Sequence, residues 1–101
     1  MIAQKYRAYL KLEKGLSTNS IEAYLIDYQR LARYCEAHEI DVVHATFDDL
    51  QAFVFDISKE IISVRTQARL IAGIHSFYRF LLYHNYIEQD PSELIETPKK
   101  E

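Results

Sequence analysis

Glycine and proline are nearly absent, with two of each in 101 residues. That scarcity leaves little material for the tight turns of a hairpin-built fold and points to helices joined by short connections. One cysteine, Cys35, excludes an internal disulfide and suits a reducing cytoplasm. There is no tryptophan, and aromatic bulk comes mostly from eight tyrosines, whose rings can sit half-wet. No apolar run approaches the ~20 residues needed to span a bilayer. The opening Met1-Ile2-Ala3-Gln4-Lys5 has no apolar core of a signal peptide. The expected setting is therefore the cytoplasm, with no membrane partner. A hydrophobic fraction of 49% and a charged fraction of 27% argue against wholesale disorder, and the length suits one domain.

The formal net charge of −3 speaks against a polyanionic partner, but its distribution does not. Residues 1–35 hold Lys5, Arg7, Lys11, Lys14, Arg30 and Arg33 against Glu13, Glu22 and Asp27. Residues 36–62 hold Lys59 against Glu36, Glu39, Asp41, Asp48, Asp49, Asp56 and Glu60. Residues 63–86 hold Arg65, Arg69 and Arg79 and no acid. Acid is concentrated in a central segment between two basic ones, and local field outweighs the sum when a partner docks on one face.

Hydrophobic spacing predicts a first helix over about residues 2–14, with Ile2, Tyr6, Tyr9 and Leu10 inward and Gly15 ending it. Leu16-Ser17-Thr18-Asn19-Ser20 offers caps for a second helix running to about Ala37. Its buried stripe is Ile21, Tyr24, Leu25, Tyr28, Leu31, Ala32 and Cys35, and its outer face is Asn19, Ala23, Ile26, Arg30 and Arg33. Thr46-Phe47-Asp48-Asp49 reads as a capping box opening a short third helix through Leu50, Phe53, Val54 and Ile57. Ser63 caps a long fourth helix, closed by Asn85. Its apolar face is Val64, Leu70, Ile71, Ile74, Phe77, Tyr78, Leu81 and Leu82. Arg65, Arg69, Ala72, Ser76, Arg79 and Tyr83 form the opposite row, where small residues between arginines let another surface come close. Gly73 inside this helix costs ~1 kcal/mol against alanine. Close approach of a helix or ligand explains it, as does simple drift. Asp90-Pro91-Ser92-Glu93 resembles a capping box with proline at its first helical position, opening a short fifth helix. Thr97-Pro98-Lys99-Lys100 reads as the start of a linker, giving a domain over 1–96 and a linker over 97–101.

Each sharp reading has a plainer competitor. The arginine row is either a nucleic-acid-facing surface or an ordinary solvated face. Cys35, His38 and His44 match no zinc spacing, and no cofactor is expected. Cys35 reads as a small core hydrophobe, and His75 and His84 as surface or boundary residues. The acidic stretch from Glu36 to Glu60 reads as a solvated side turned away from a nucleic acid. No acid–base or nucleophile constellation is evident.

Leu12-Glu13-Lys14-Gly15-Leu16-Ser17, followed by Asn19-Ser20-Ile21, Ala23-Tyr24 and Asp27, resembles the opening motif of phage-integrase-type tyrosine recombinases, most of all the Xer type. The likeness continues through Ala68-Arg69-Leu70, Phe80-Leu81, Asp90-Pro91 and Pro98-Lys99, and so spans nearly the whole chain. It implies an all-α, SAM-like core-binding domain: a compact bundle of four long helices plus a short C-terminal one. It further implies that the second and fourth helices clamp one side of a double-stranded DNA recombination site. A linker would lead to a separate catalytic domain holding the nucleophilic tyrosine, and other recombinase subunits would complete a tetramer on DNA. This chain would then bind DNA and cut no strand. The family usually has basic residues after its Ala-Tyr pair, where this chain has Leu25 and Ile26. Ile26 either touches a thymine methyl or marks weaker, differently distributed binding.

Together, residues and resemblance nominate Thr18, Asn19 and Ser20 at a helix N-terminus near phosphate or base edges. Lys14, Arg30 and Arg33 would contact phosphate, while Arg65, Thr66, Gln67 and Arg69 would reach the groove. Arg79 continues the row, and Lys99 and Lys100 would follow the backbone. The expectation is one cationic surface drawn from two helices, with the carboxylates on the far side. The alternative is a helical protein–protein interaction domain in which exposed apolar positions such as Ile26 dock another helix.

Overall fold

Capping chemistry sets most helix boundaries in the computed structural model, which describes residues 2–60 and 62–96. The elements are α1 (Ile2–Ala8), a π-helical turn (Tyr9–Glu13), α2 (Thr18–Ala37), a 3-10 turn (Val42–His44), α3 (Phe47–Ser58) and α4 (Val64–Tyr83). Ser17 accepts from the Ser20 amide at 3.3 Å to open α2, and Ser63 accepts from the Thr66 amide at 3.1 Å to open α4. Thr46 and Asp49 form the expected reciprocal box at α3, with bonds of 3.2 and 3.0 Å. The domain is all-helical among the described residues.

Three helical segments stop on a left-handed residue: Gly15 (φ 63°), Glu39 (φ 57°) and Asn85 (φ 64°). After α2, Glu39 N–H bonds Glu36 O (3.2 Å) and Ile40 N–H bonds Cys35 O (2.8 Å). After α4, Asn85 N–H bonds Leu82 O (3.1 Å) and Tyr86 N–H bonds Leu81 O (2.8 Å). Both are Schellman closures, which satisfy carbonyls that the helix leaves open. The first helix differs from expectation in its last turn. Lys14 N–H reaches back to Tyr9 O and Leu16 N–H to Leu10 O, each at 3.1 Å, so the turn widens to π geometry as Gly15 reverses the chain.

The core is dominated by aromatic rings between α1, α2 and α4. Tyr6 packs edge-on against Phe77 (centroids 5.2 Å), and Tyr28 lies 4.7 Å from Phe77. The buried phenols keep their polar ends satisfied: Tyr6 donates to Ser76 Oγ (3.0 Å) and Tyr78 to the Val42 carbonyl (2.6 Å). Cys35 is buried, as expected of a core hydrophobe, and burial pushes its thiol up to about 11.

Two expectations fail here for identifiable reasons. On α4 the buried arc includes Phe80, while Val64 and Leu82 are 46% and 39% exposed. The π turn lies against the C-terminal half of α4, with Tyr9 5.2 Å from Phe80, and rotates the covered arc towards it. Residues Pro91–Leu94 form turns in place of a fifth helix. Asp90 Oδ1 accepts from both the amide (2.8 Å) and the hydroxyl (2.6 Å) of Ser92, a local turn that competes with a helical start. Ile95 is then buried in the core, and His75 Nε2 donates to its carbonyl (3.1 Å), which pins the segment.

Candidate nucleic-acid interface

The missing side chain at Gly73 is where the surface is built. Helices α2 and α4 cross there near their midpoints, so closely that a Cβ on Gly73 would stand 3.2 Å from Asp27 Cβ and 3.3 Å from Asp27 Oδ2. Asp27 fills the space thus left and is only 3% exposed. Its carboxylate is held side-on by Arg69: Nε donates to Oδ2 (3.3 Å) and Nη2 donates to Oδ1 (3.0 Å). The Arg69 side chain itself is half exposed. Burial raises the Asp27 carboxyl above its ordinary range, opposed by the bond and charge of Arg69 and by the nearby charge of Arg30. Arginines from two separate helices therefore bear on one buried carboxylate. Close approach of a helix is thus the explanation for Gly73.

The expected separation of charges does not hold at this crossing. Asp27 lies directly beneath Arg69, and Arg30 forms an ion pair with Glu60, which stands between α3 and α4. The acids expected on the far side thus include two that lie among the cations. Arg33 and Arg65 are exposed and form no ion pair among the described residues.

Thr18, Asn19 and Ser20 occupy the exposed first turn of α2. The Ser17 hydroxyl already serves Ser20, donating to its Oγ (3.2 Å) while accepting from its amide. Thr66 and Gln67 lie in the first turn of α4 and are half-buried, with the Thr66 hydroxyl 3.0 Å from that of Ser63. Arg79 and Lys14 sit elsewhere, sharing a shallow depression with Tyr9, Glu13, Leu82 and Tyr83. Between Arg69 and Arg79 stands Ser76, half-buried by the Tyr6 phenol, so the row along α4 is not one continuous open stripe. Lys99 and Lys100 lie outside the described residues.

Asp27 is the residue that the spacing argument missed. It stands three residues after Tyr24 and four before Leu31, in line with the apolar stripe of α2. An acid on a buried stripe, together with a mid-helix glycine, is the pattern that betrays such a pair. No group of three or more His, Cys, Asp or Glu among the described residues is arranged to hold a metal ion. No helix among them is long and apolar enough to cross a membrane.

Residues 3–85 match the family model described as the phage integrase N-terminal SAM-like domain. The chain is similar to tyrosine recombinase XerC of Leptospira interrogans, 32% identical over 98 residues that cover 96% of this chain and 32% of the relative. It is also similar to tyrosine recombinase XerD of Staphylococcus epidermidis, 37% identical over 106 residues covering 99% of this chain and 34% of the relative. The chain thus spans about a third of the length of the curated relatives it matches. No solved structure matches it. A helical bundle whose sequence satisfies that model from its first helix to the closure after α4 belongs to the phage integrase N-terminal SAM-like domain family.

Proposed function

We propose that this chain is the DNA-binding N-terminal domain of a site-specific tyrosine recombinase, clamping one face of the recombination-site duplex through α2 and α4. One observation carries the reading: Arg69 of α4 is held at the crossing by Asp27 of α2, with Arg30 three residues further along α2 and paired to Glu60. Arg65 lies one turn before Arg69 on α4, and Arg33 three residues beyond Arg30 on α2, extending the cationic patch along each helix. The exposed first turn of α2 adds backbone amides and the side chains of Thr18 and Asn19, a local environment that favours phosphate. Two pairs are internally neutralised, so attraction at a distance rests on Arg33, Arg65, Arg79 and Lys14. The parent protein, assembled with other copies on double-stranded DNA in the cytoplasm, would supply strand cleavage from a domain reached through residues 97–101.

The test is duplex binding by the wild-type chain and by Arg65→Ala and Arg69→Ala variants across a range of salt. Losing one phosphate contact should lower the slope of log K against log[salt] by about 0.9. Unchanged affinity and slope in both variants would remove α4 from the interface. Ile26, 60% exposed on the outer face of α2, favours a second reading in which this face docks an apolar helix. Such a contact is nearly indifferent to salt, so the same titration separates the two.

A further inference from the structure

Asp27 is a buried charge at a place where the fold has no need of one. A carboxylate 3% exposed between two helices forfeits its hydration, and an apolar pair of similar size at such a crossing is commonly as stable or more so. Room for it comes from a glycine in the middle of α4, the least favourable interior helix residue after proline. Two unfavourable choices thus coincide at one crossing, and their outward product is a guanidinium fixed in one plane. We infer that Asp27 is a positioning residue: seated in the gap left by Gly73, it clamps Arg69 side-on and turns the free edge of that guanidinium towards a guanine in the bound duplex.

The donor count fits this role. Of the five N–H groups of a guanidinium, the bonds to Asp27 use one on Nε and one on Nη2. Both hydrogens of Nη1 and the second of Nη2 remain, and one from each nitrogen forms the outer edge that pairs bidentately with guanine O6 and N7. The side chain is half exposed, and no hydrogen bond among the described residues uses those three donors. The paired charge is neutral at a distance, so Arg69 contributes chiefly through geometry and little through general attraction to phosphate. Immobilising it before binding removes an entropy loss that a free arginine bears on contact. The inference rests on the DNA-binding reading and deepens it by separating a residue that reads sequence from those that merely attract.

The experiment uses a randomised duplex library for selection and a random-sequence duplex for affinity, with the wild-type chain and the Asp27→Asn and Arg69→Lys variants. The wild-type chain should enrich guanine at one position by roughly five- to hundredfold. Both variants should lose most of that preference. Asp27→Asn removes a negative charge, so its affinity for random duplex should hold or rise, with no loss of salt slope. A purely structural ion pair predicts the opposite, a fall in both kinds of binding in step with the melting temperature. In the free protein, the Arg69 Nε–H resonance should be protected from solvent exchange in the wild type and exposed in Asp27→Asn. Retained guanine preference in Asp27→Asn, binding by the wild type without base preference, or parallel loss of all binding would each overturn the inference while leaving DNA binding intact. No duplex binding by the wild type would overturn the proposed function, and this inference with it.

Discussion

Replacing Gly73 by alanine sets helix propensity against packing at the α2–α4 crossing. Propensity alone favours the variant by ~1 kcal/mol, because alanine loses less backbone entropy in a helix. The added methyl, however, would lie 3.2 Å from Asp27 Cβ, 3.3 Å from Asp27 Oδ2 and 3.6 Å from Tyr24 Cδ1. Carbon atoms rest about 3.5–4.0 Å apart, so the helices must separate by a few tenths of an ångström or Asp27 must turn. Overpacking of this kind costs ~1–3 kcal/mol. Turning Asp27 also breaks the Nε–Oδ2 bond, which at 3.3 Å is the longer of its two. A hydrogen bond to a charged partner is worth ~1.5–3 kcal/mol, part of which Arg69 recovers from water because its side chain is half exposed. The expected net effect is a loss of about 1–3 kcal/mol. At ~4–8 °C per kcal/mol for a domain near this size, the melting temperature falls by roughly 5–20 °C. Urea unfolding followed by circular dichroism measures it, and Ala72→Gly, at an exposed neighbouring position, supplies the propensity difference without the contact. A Gly73→Ala variant more stable than wild type by the full ~1 kcal/mol of propensity would show that the crossing yields freely and would refute the reasoning.

Three further outcomes follow from specific contacts. The raised Asp27 carboxyl contributes stability that is complete below the ordinary carboxylate range and is lost as pH rises through its folded value. Wild type should therefore gain stability relative to Asp27→Asn as pH falls from 7 towards 4, as read by urea midpoints; a difference independent of pH would contradict the burial of that group. Tyr78→Phe removes the donor to the Val42 carbonyl at 2.6 Å and should cost ~1–2 kcal/mol, with an unchanged denaturant slope. Glu39 holds φ 57° at the closure of α2, where glycine bears no steric cost, so Glu39→Gly should stabilise by about 0.5–1 kcal/mol. A drop in midpoint would place other contacts of Glu39 above its backbone strain.

Local chemistry was readable wherever a few neighbouring residues decide the outcome. Ser17, Ser63 and the Thr46–Asp49 box are caps whose partners lie three residues away, and Gly15 and Asn85 take left-handed geometry because their side chains permit it. The stripes of α2 and α4 follow the helical repeat, so Ile21, Leu31, Cys35, Leu70, Ile74 and Phe77 were found buried where spacing put them. The same reasoning misjudged Val64, Leu82 and Phe80, because the covered arc of a helix depends on which element lies against it. It also gave Pro91–Leu94 a helix, since nothing local announces that Ile95 will be buried and that His75 will hold its carbonyl.

The candidate surface divides in the same way. Spacing along one helix places Arg30 with Arg33 and Arg65 with Arg69, because a fixed rise and turn per residue needs no knowledge of neighbours. Spacing cannot state that Asp27 meets Arg69 across forty-two residues, that Glu60 turns to Arg30, or that Tyr6 covers Ser76 in the middle of the row. Those contacts belong to the angle and distance at which the helices cross, and that distance is set by one absent side chain at Gly73. The sequence by itself determined where α2, α3 and α4 start and which residue types they carry. Only the tertiary structure decided which charges stand free, because pairing between distant residues is a property of packed faces and not of the repeat along any one of them.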